Sequence, residues 1–436
     1  MKRLKKIAAI LILICTLNIP LAAYSDTANT NSHQELDLVG ESAILIDRDT
    51  GQVLYEKNPH KQLFPASTTK IMTGILAIEK GNLSDTVTID EEVIKEVDGS
   101  HIALEPGEQL TLEELLNALL IESANDAAVA IAIHISGTVE NFVELMNEKA
   151  RDLGALNTHF TNPNGLPSNE HVTTAYDLSL MAKYAMKNKV FKDIVKNYTY
   201  TIPITNKKDE ERCLFSSNRL LYSNKKIEIN EKVIPIKYDG VDGVKSGYTG
   251  AAKQCLVSSA TKNNQRLIAV VLKSEGRSIY TDSHKLLNYG FDNFEKATIS
   301  FENEFIDNIP IKKGTTPFVA GILKDGFITN VPKGKENRVQ KKITIFEDNT
   351  VPIKQGDSLG KIEYYLNDKK LGQADIVSTL TVEKMPLKNI ILSFLGKIWW
   401  IILITIFILL TIKYIFYKKK SKRGKEKYIY GNVKPR

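Results

Sequence analysis

Ser67 stands three residues before Lys70 in the stretch LFPASTTKIMTGILAIEKG, Leu63 to Gly81. A serine hydroxyl is a poor nucleophile until a neighbouring base takes its proton. On a helix a spacing of three puts both side chains on one face. A helix start also offers unpaired backbone N–H groups to a developing oxyanion. The S-x-x-K pattern recurs at Ser223, Ser259 and Ser358, as chance gives in a lysine-rich chain. Only Ser67 has a proline two residues before it and opens a strong amphipathic run. The competing explanation is a capped helix with a solvated lysine.

Two further groupings stand out. In ESAN, Ser123 and Asn125 lie two apart in a short break between apolar helical stretches, where a hydroxyl and an amide can face one cavity. The same S-x-N pattern occurs at Ser216-Ser217-Asn218, and Asn125 or Asp126 is equally suited to capping the next helix. The triplet Lys245-Ser246-Gly247 in DGVKSGYTG is the single K-[ST]-G of the chain. Lys245 and Ser246 offer a cation and a hydroxyl to an anionic group, and Gly247 allows close backbone approach. An exposed edge strand guarded by a lysine would look the same.

The elements that must position these groups are legible in the pattern. SAILIDRDTGQVLYEK reads as two strands around an Asp49-Thr50-Gly51 turn. The helix starting near Ser67 buries Ile71, Met72, Ile75, Leu76 and Ile78 and stops at Gly81. TLEELLNALL opens with Thr111 and Glu114 in capping-box spacing, and DAAVAIAIHIS forms the next helix from Asp126. KQCLVSSATKNNQRLIAVVLKS gives two strands around Lys262-Asn263-Asn264, and SIYTDSHKLLNYGFDNF a closing helix. Strand pairs mixed with helices point to an α+β layer architecture, a mostly antiparallel sheet flanked by helices. From Ala297 to about Glu383 the chain changes to short strands such as KKITIFE and DIVSTLTVE between Gly, Pro and Asp turns, a second, small all-β domain.

The chain has 436 residues, 43% hydrophobic and 25% charged, enough for two domains with attachments. Its formal charge of +7 resides at the ends: Lys2, Arg3, Lys5 and Lys6 at the start, and ten Lys or Arg against Glu426 from Lys413 onward. The body between is net acidic, which argues against nucleic-acid binding. The basic start, apolar run and small-residue exit at Ala23-Tyr24-Ser25 read as a secretory signal peptide. IWWIILITIFILLTIKYIFY, Ile398 to Tyr417, is long enough to cross about 30 Å of hydrocarbon. Trp399 and Trp400 flank one edge and a polybasic tail the other, which orients the tail to the cytoplasm and the body outside. The expected order is signal peptide 1–25, flexible lead-in 26–37, catalytic domain 38–296, β-domain 297–384, linker 385–397, transmembrane helix 398–417 and basic tail 418–436. The seven histidines show no HExxH spacing and the cysteines no CxxC, so no metal or other cofactor is expected. Cys213 and Cys255 are open to pairing or to remaining buried free thiols.

Taken in order, S-x-x-K, S-x-N and K-[ST]-G form the motif set of class A β-lactamases and penicillin-binding proteins. From about Leu38 to Lys384 the chain resembles the low-molecular-mass penicillin-binding proteins, specifically the serine D-alanyl-D-alanine carboxypeptidases. FPASTTKIMT, LLIESANDAAVAIA, HFTNPNGL, SSNRLL and DGVKSGYT carry the resemblance. It implies a β-lactamase/transpeptidase-like catalytic domain followed by that family's β-domain. It also implies peptidoglycan stem peptides ending in D-Ala-D-Ala as substrate and β-lactam antibiotics as inhibitors. By resemblance Ser67 is the nucleophile, Lys70 its base and Ser123 the proton relay to the leaving D-Ala. Asn125 holds the substrate peptide group, Lys245 and Ser246 receive the terminal carboxylate, Gly247 belongs to the same substrate-binding stretch, and the N–H groups of Ser67 and Tyr248 form the oxyanion hole. The triplet reads K-S-G where the family usually has K-T-G, which keeps the hydroxyl. The arginine that the family sometimes carries beyond the next strand has no firm equivalent, although Arg277 is nearby. A D,D-endopeptidase using the same machinery is the nearest alternative, then a non-catalytic wall-binding protein, then a β-lactamase. For the last, the string at Glu113-Glu114-Leu115-Leu116-Asn117 precedes Ser123 instead of coming after it.

Overall fold

A computed structural model describes residues 36–95 and 98–429 and divides the chain into two compact units, up to Gly290 and from Phe291. The signal peptide and nearly all of the lead-in lie outside the described residues.

The first unit is built on a five-stranded sheet of β1 (Ser42–Asp47), β2 (Val53–Lys57), β3 (Val241–Thr249), β4 (Lys253–Lys262) and β5 (Gln265–Ser274), in the order β2-β1-β5-β4-β3. Every pairing is antiparallel. Asn263 and Asn264, with φ of +49° and +63°, make the two-residue turn between β4 and β5, a conformation asparagine tolerates and right-twisted hairpins need. Alternation along the strands buries both faces. Ile44, Ile46, Ile268 and Val270 join the main core. On the other face Leu45 and Leu267 meet Gly290, where a Cβ would stand 2.7 and 2.4 Å from them. That contact seats the helix Ser278–Asn293 on the sheet.

The main core surrounds helix α1 (Lys70–Lys80), whose residues from Lys70 to Ala77 are all buried. A helix enclosed on every side fixes its side chains tightly, which is what a site at its start requires. A 3-10 turn, Ala66–Thr69, precedes it, so the helix proper begins at Lys70 and not at Ser67. Ile78 is only partly buried. Helix α2 (Leu112–Asn117) opens with the expected capping box between Thr111 and Glu114, then widens into a π turn, Ala118–Glu122. Such a turn inserts one residue and re-aims the side chains beyond it. Helix α3 (Asn125–Ser136) begins two residues later. Glu113 is exposed and the Glu114 carboxylate accepts from Thr111, so the β-lactamase-like string is an ordinary helix start. Cys213 is exposed and Cys255 buried, both as free thiols. Burial pushes the Cys255 thiol up to about 12.

In the second unit β6 (Phe294–Ser300) pairs with β9 (Phe327–Pro332). A five-stranded sheet is formed by β7 (Phe305–Pro310), β8 (Phe318–Leu323), β10 (Gln340–Ile345), β11 (Ser358–Leu366) and β12 (Lys369–Ser378), in the order β7-β8-β12-β11-β10. Ile309, Leu323, Ile362 and Ile376 centre its core, and Phe327 stacks on Tyr364 at 4.0 Å. Strand β12 ends at Ser378, earlier than DIVSTLTVE suggests, and Val382 only bridges to Ile353. The last helix, Leu387–Ile429, swallows the expected linker and much of the expected tail. Leu387, Ile390, Ile391 and Phe394 continue its apolar surface backward from Ile398, and Pro386 offers its carbonyl to the first turn. Over Leu387–Ser421 the most apolar window has a mean hydropathy of 2.3, with none of it buried.

Thr111→Ala removes the capping box that leads into the π turn. It is expected to lower stability by about 1 kcal/mol, a Tm drop of roughly 2 to 4 °C by calorimetry; an unchanged Tm would refute this role.

Candidate active site

Three separate segments converge on one amine. Lys70 Nζ lies 3.1 Å from Ser67 Oγ, 2.6 Å from Asn125 Oδ1 and 2.6 Å from the Asn164 carbonyl. Asn125 Nδ2 donates to the Asp98 carbonyl, which orients its Oδ1 toward the lysine. A neutral amine has two N–H donors and a lone pair. The two carbonyl-type oxygens can only accept, so they take both donors and leave the lone pair facing Ser67. Lys70 is fully buried, and its pKa falls well below the usual lysine range through burial first and the Lys245 charge second, against an opposing pull from Asp126.

The Ser67 backbone is held in an uncommon shape. Ala66 has φ of +48°, an unfavourable region for alanine. Two glycines crowd this turn. A Cβ on Gly165, itself at φ +91°, would stand 2.0 Å from the Ala66 carbonyl oxygen. One on Gly247 would stand 2.7 Å from the Ser67 nitrogen and 3.0 Å from Ala66 Cβ. Only glycine lets β3 lie so close to the Ser67 N–H. Asn162 and Asn164 brace the Gly165 loop by accepting from the N–H groups of Gly165 and Leu166. Behind the turn Thr69 Oγ1 meets His171 Nε2 at 2.8 Å, while the ring's other nitrogen accepts from Thr161 N–H. Burial, then His159 and Lys70, lowers His171 to about 4, so it is neutral and donates through Nε2.

Ser123 closes the π turn in the left-handed conformation, φ 72° and ψ 31°, and lines a cavity of about 560 Å³ together with Ser67, Ser246, Gly247 and Tyr248. Neither Asn125 nor Asp126 is a helix cap. Asn125 commits its side chain to Lys70 and Asp98, and Asp126 accepts from the N–H groups of Ile102 and Leu104. The triplet lies within edge strand β3, yet Lys245 is 1% exposed, which excludes a solvated guard lysine. It donates to the Ser246 carbonyl at 3.0 Å and reaches Ser217 Oγ at 3.3 Å. Burial lowers Lys245 to about 7, opposed by Glu122. Ser246 Oγ donates to the same Ser217 Oγ at 2.9 Å.

All eight residues singled out in the sequence therefore meet at one place. The structure adds Ser217, Asn164, Glu122 and Arg219, which lie in stretches that carry the resemblance but to which the sequence assigns no role. Ser217 belongs to the second S-x-N match, a repeat of a weak pattern. Asn164 acts through its main chain, which no side-chain pattern signals. Arg277 lines the cavity alongside Ser246 and Tyr248.

A penicillin-binding fold with a serine and a buried lysine beside its edge strand is the class that these features define, and comparison with known proteins agrees. Residues 28–276 match the family model described as D-alanyl-D-alanine carboxypeptidase, and residues 294–384 that of the penicillin-binding protein 5 C-terminal domain. The chain belongs to the D-alanyl-D-alanine carboxypeptidase family. It is 37% identical to the D-alanyl-D-alanine carboxypeptidase DacF of Bacillus subtilis (strain 168), covering 88% of this chain and 95% of that one. It is 32% identical to DacC of Escherichia coli (strain K12), with coverage of 82% and 86%. Penicillin-binding protein 5 from Haemophilus influenzae superposes with a TM-score of 0.69 at 29% identity, covering 80% of this chain and 99% of that chain. A mutant of the Streptomyces K15 DD-transpeptidase superposes with a TM-score of 0.54 at 31% identity over 59% and 100%.

A lysine whose folded pKa is depressed binds fewer protons folded than unfolded between the two values, so stability rises with pH across that interval. For Lys245 the interval begins near 7 and ends at the ordinary lysine value. The unfolding free energy is expected to rise with pH from about 7 upward through this interval, and Lys245→Met to flatten part of that rise in denaturant titrations. An identical slope in the variant would contradict the buried-cation account.

Proposed function

We propose that Ser67 is the nucleophile and Lys70 the base of this serine-type D-Ala-D-Ala carboxypeptidase. The Lys70 hydrogen-bond geometry carries the proposal, because it aims a neutral amine's lone pair at the serine hydroxyl. Ser67 Oγ attacks the carbonyl of the penultimate D-Ala while Lys70 takes its proton. The N–H groups of Ser67 and Tyr248 hold the oxyanion, a role that the close approach of Gly247 to the Ser67 nitrogen supports. The tetrahedral centre collapses to an acyl-enzyme as the C–N bond breaks, and Ser123 relays the proton to the departing D-alanine. Water, activated in the reverse sense, frees Ser67 and the shortened stem peptide. Asn125 holds a substrate peptide group through the N–H and the lone pair that its bonds to Asp98 and Lys70 leave over. Lys245 and Ser246, with Arg277 on the same cavity wall, receive the terminal carboxylate. A β-lactam mimics D-Ala-D-Ala, so it acylates Ser67 and leaves slowly.

The unit that ends at Gly290 carries this chemistry, and the β-domain, expected from 297 to 384, takes in the whole of strand β6 from Phe294. The C-terminal helix anchors the chain in the cell membrane. Thr405 and Thr411 return their hydroxyls to carbonyls of their own helix, as lipid demands. The basic residues beyond Lys413 support a cytoplasmic tail and an extracytoplasmic catalytic domain.

With a peptide ending in D-Ala-D-Ala, Ser67→Ala is expected to release no D-alanine and to form no covalent penicillin adduct by mass spectrometry. Lys70→Met is expected to slow release by about 10² to 10⁴-fold. Release that survives in a folded Ser67→Ala protein would refute the assignment. A chain ending at Pro386 is expected to leave the membrane fraction and keep its activity, whereas membrane retention would point to another anchor.

A further inference from the structure

Glu122 is the one carboxylate on the wall of the catalytic cavity among the described residues; the other charged groups lining it, Arg219 and Arg277, are cations. It closes the π turn, immediately before Ser123. One carboxylate oxygen, Oε2, accepts from the Phe215 N–H at 2.7 Å, which spans the side chain from the π turn to the facing strand Arg212–Phe215. The other oxygen, Oε1, has no hydrogen-bond partner among the described residues, and the side chain is half-buried. A carboxylate fixed through one oxygen and open through the other is a receptor for a cation that arrives with a ligand.

The carboxypeptidase reading, on which this inference rests, states what arrives. The residue before D-Ala-D-Ala in a stem peptide is a diamino acid, and its side-chain amine is charged until a cross-link acylates it. The substrate thus has a carboxylate at one end and an ammonium one residue inside the scissile pair. The cavity carries both signs: Glu122 on the π turn is its carboxylate, Arg219 and Arg277, the latter just before the helix Ser278–Asn293, are its lining cations, and Lys245 is buried beside it on β3. We infer that Glu122 binds the free side-chain ammonium of the stem peptide's diamino residue, so that the enzyme prefers stems whose side chain is not yet cross-linked. In reaction order the enzyme would then act before the transpeptidation that uses that amine.

The test uses the full-length protein in detergent and two substrates, Nα-acetyl-L-Lys-D-Ala-D-Ala and its Nα,Nε-diacetyl form, which differ only in the side-chain charge. The wild-type kcat/KM is expected to favour the free amine by about fivefold, the scale of a partly exposed ion pair. In Glu122→Gln, whose amide oxygen still accepts from Phe215 N–H, that ratio is expected to fall to about one. A wild-type ratio of one or less overturns the inference without any variant. A ratio unchanged in Glu122→Gln overturns it too, and an equal slowing of both substrates would mean that Glu122 acts through Lys245. If the wild type releases D-alanine from neither peptide, the carboxypeptidase reading itself fails and takes this inference with it.

Discussion

A primary amine held out of water is the constraint around which the first unit is organised. Lys70 is buried among groups drawn from the 3-10 turn, the start of α3 and the Asn164 loop. Burying a cation is unfavourable unless it is paired or loses its proton, and no carboxylate among the described residues hydrogen-bonds this one. The two short bonds to carbonyl-type oxygens suit a neutral amine, and the lone pair then has one direction left. The partner segments are each fixed in turn, Asn125 by the Asp98 carbonyl and the Asn164 loop by Asn162 and by the Thr73 hydroxyl on the Pro163 carbonyl. A lysine side chain has four rotatable bonds. Its aim comes from these acceptors and from the packing of α1, not from its own stiffness.

The second constraint is steric. In the proposed reaction Ser67 needs its hydroxyl at the cavity and its N–H open to a substrate oxygen. Both depend on a turn with Ala66 in a conformation alanine avoids. Strain of this kind persists only where the surroundings over-determine it. Here Gly165 and Gly247 close in from two sides, and a methyl group on either would meet backbone atoms that cannot move aside. The left-handed Ser123 at the end of the π turn is a second uncommon conformation in the same cavity.

Much of this is legible in the sequence, and the reasons divide cleanly. Strand pairs, the capping box and the Asn263-Asn264 turn come from local patterns, and local patterns suffice for them. Ser67, Ser123 and the Lys245 triplet are separately weak and become specific through their order. The features that stay hidden depend on distance in space. The burial of Lys245 on an edge strand contradicts what edge strands usually do, because its amine turns back onto Ser217 and the Ser246 carbonyl. Ser217 stands in a motif that duplicates another, and its N–H is pinned to the Ile121 carbonyl, a contact no spacing rule predicts. The helix start at Leu387 is obscured because Lys388, Asn389 and Lys397 interrupt the apolar run without stopping the helix.

Charge shows how little the whole-chain balance says about the site. The body of the chain is acidic while two lysines are buried beside its cavity, each depressed by burial. The two are coupled: the Lys245 charge helps hold Lys70 neutral, and Glu122 works in the opposite sense on Lys245. An anionic carboxylate entering near Lys245 would favour that lysine's protonated form, and a charged Lys245 presses harder on Lys70 to stay neutral. The carboxylate itself pulls Lys70 the other way, so the direct and the relayed effects oppose each other. In the proposed reaction Lys70 therefore stays neutral through its burial and its two carbonyl-type acceptors, not through the substrate's charge.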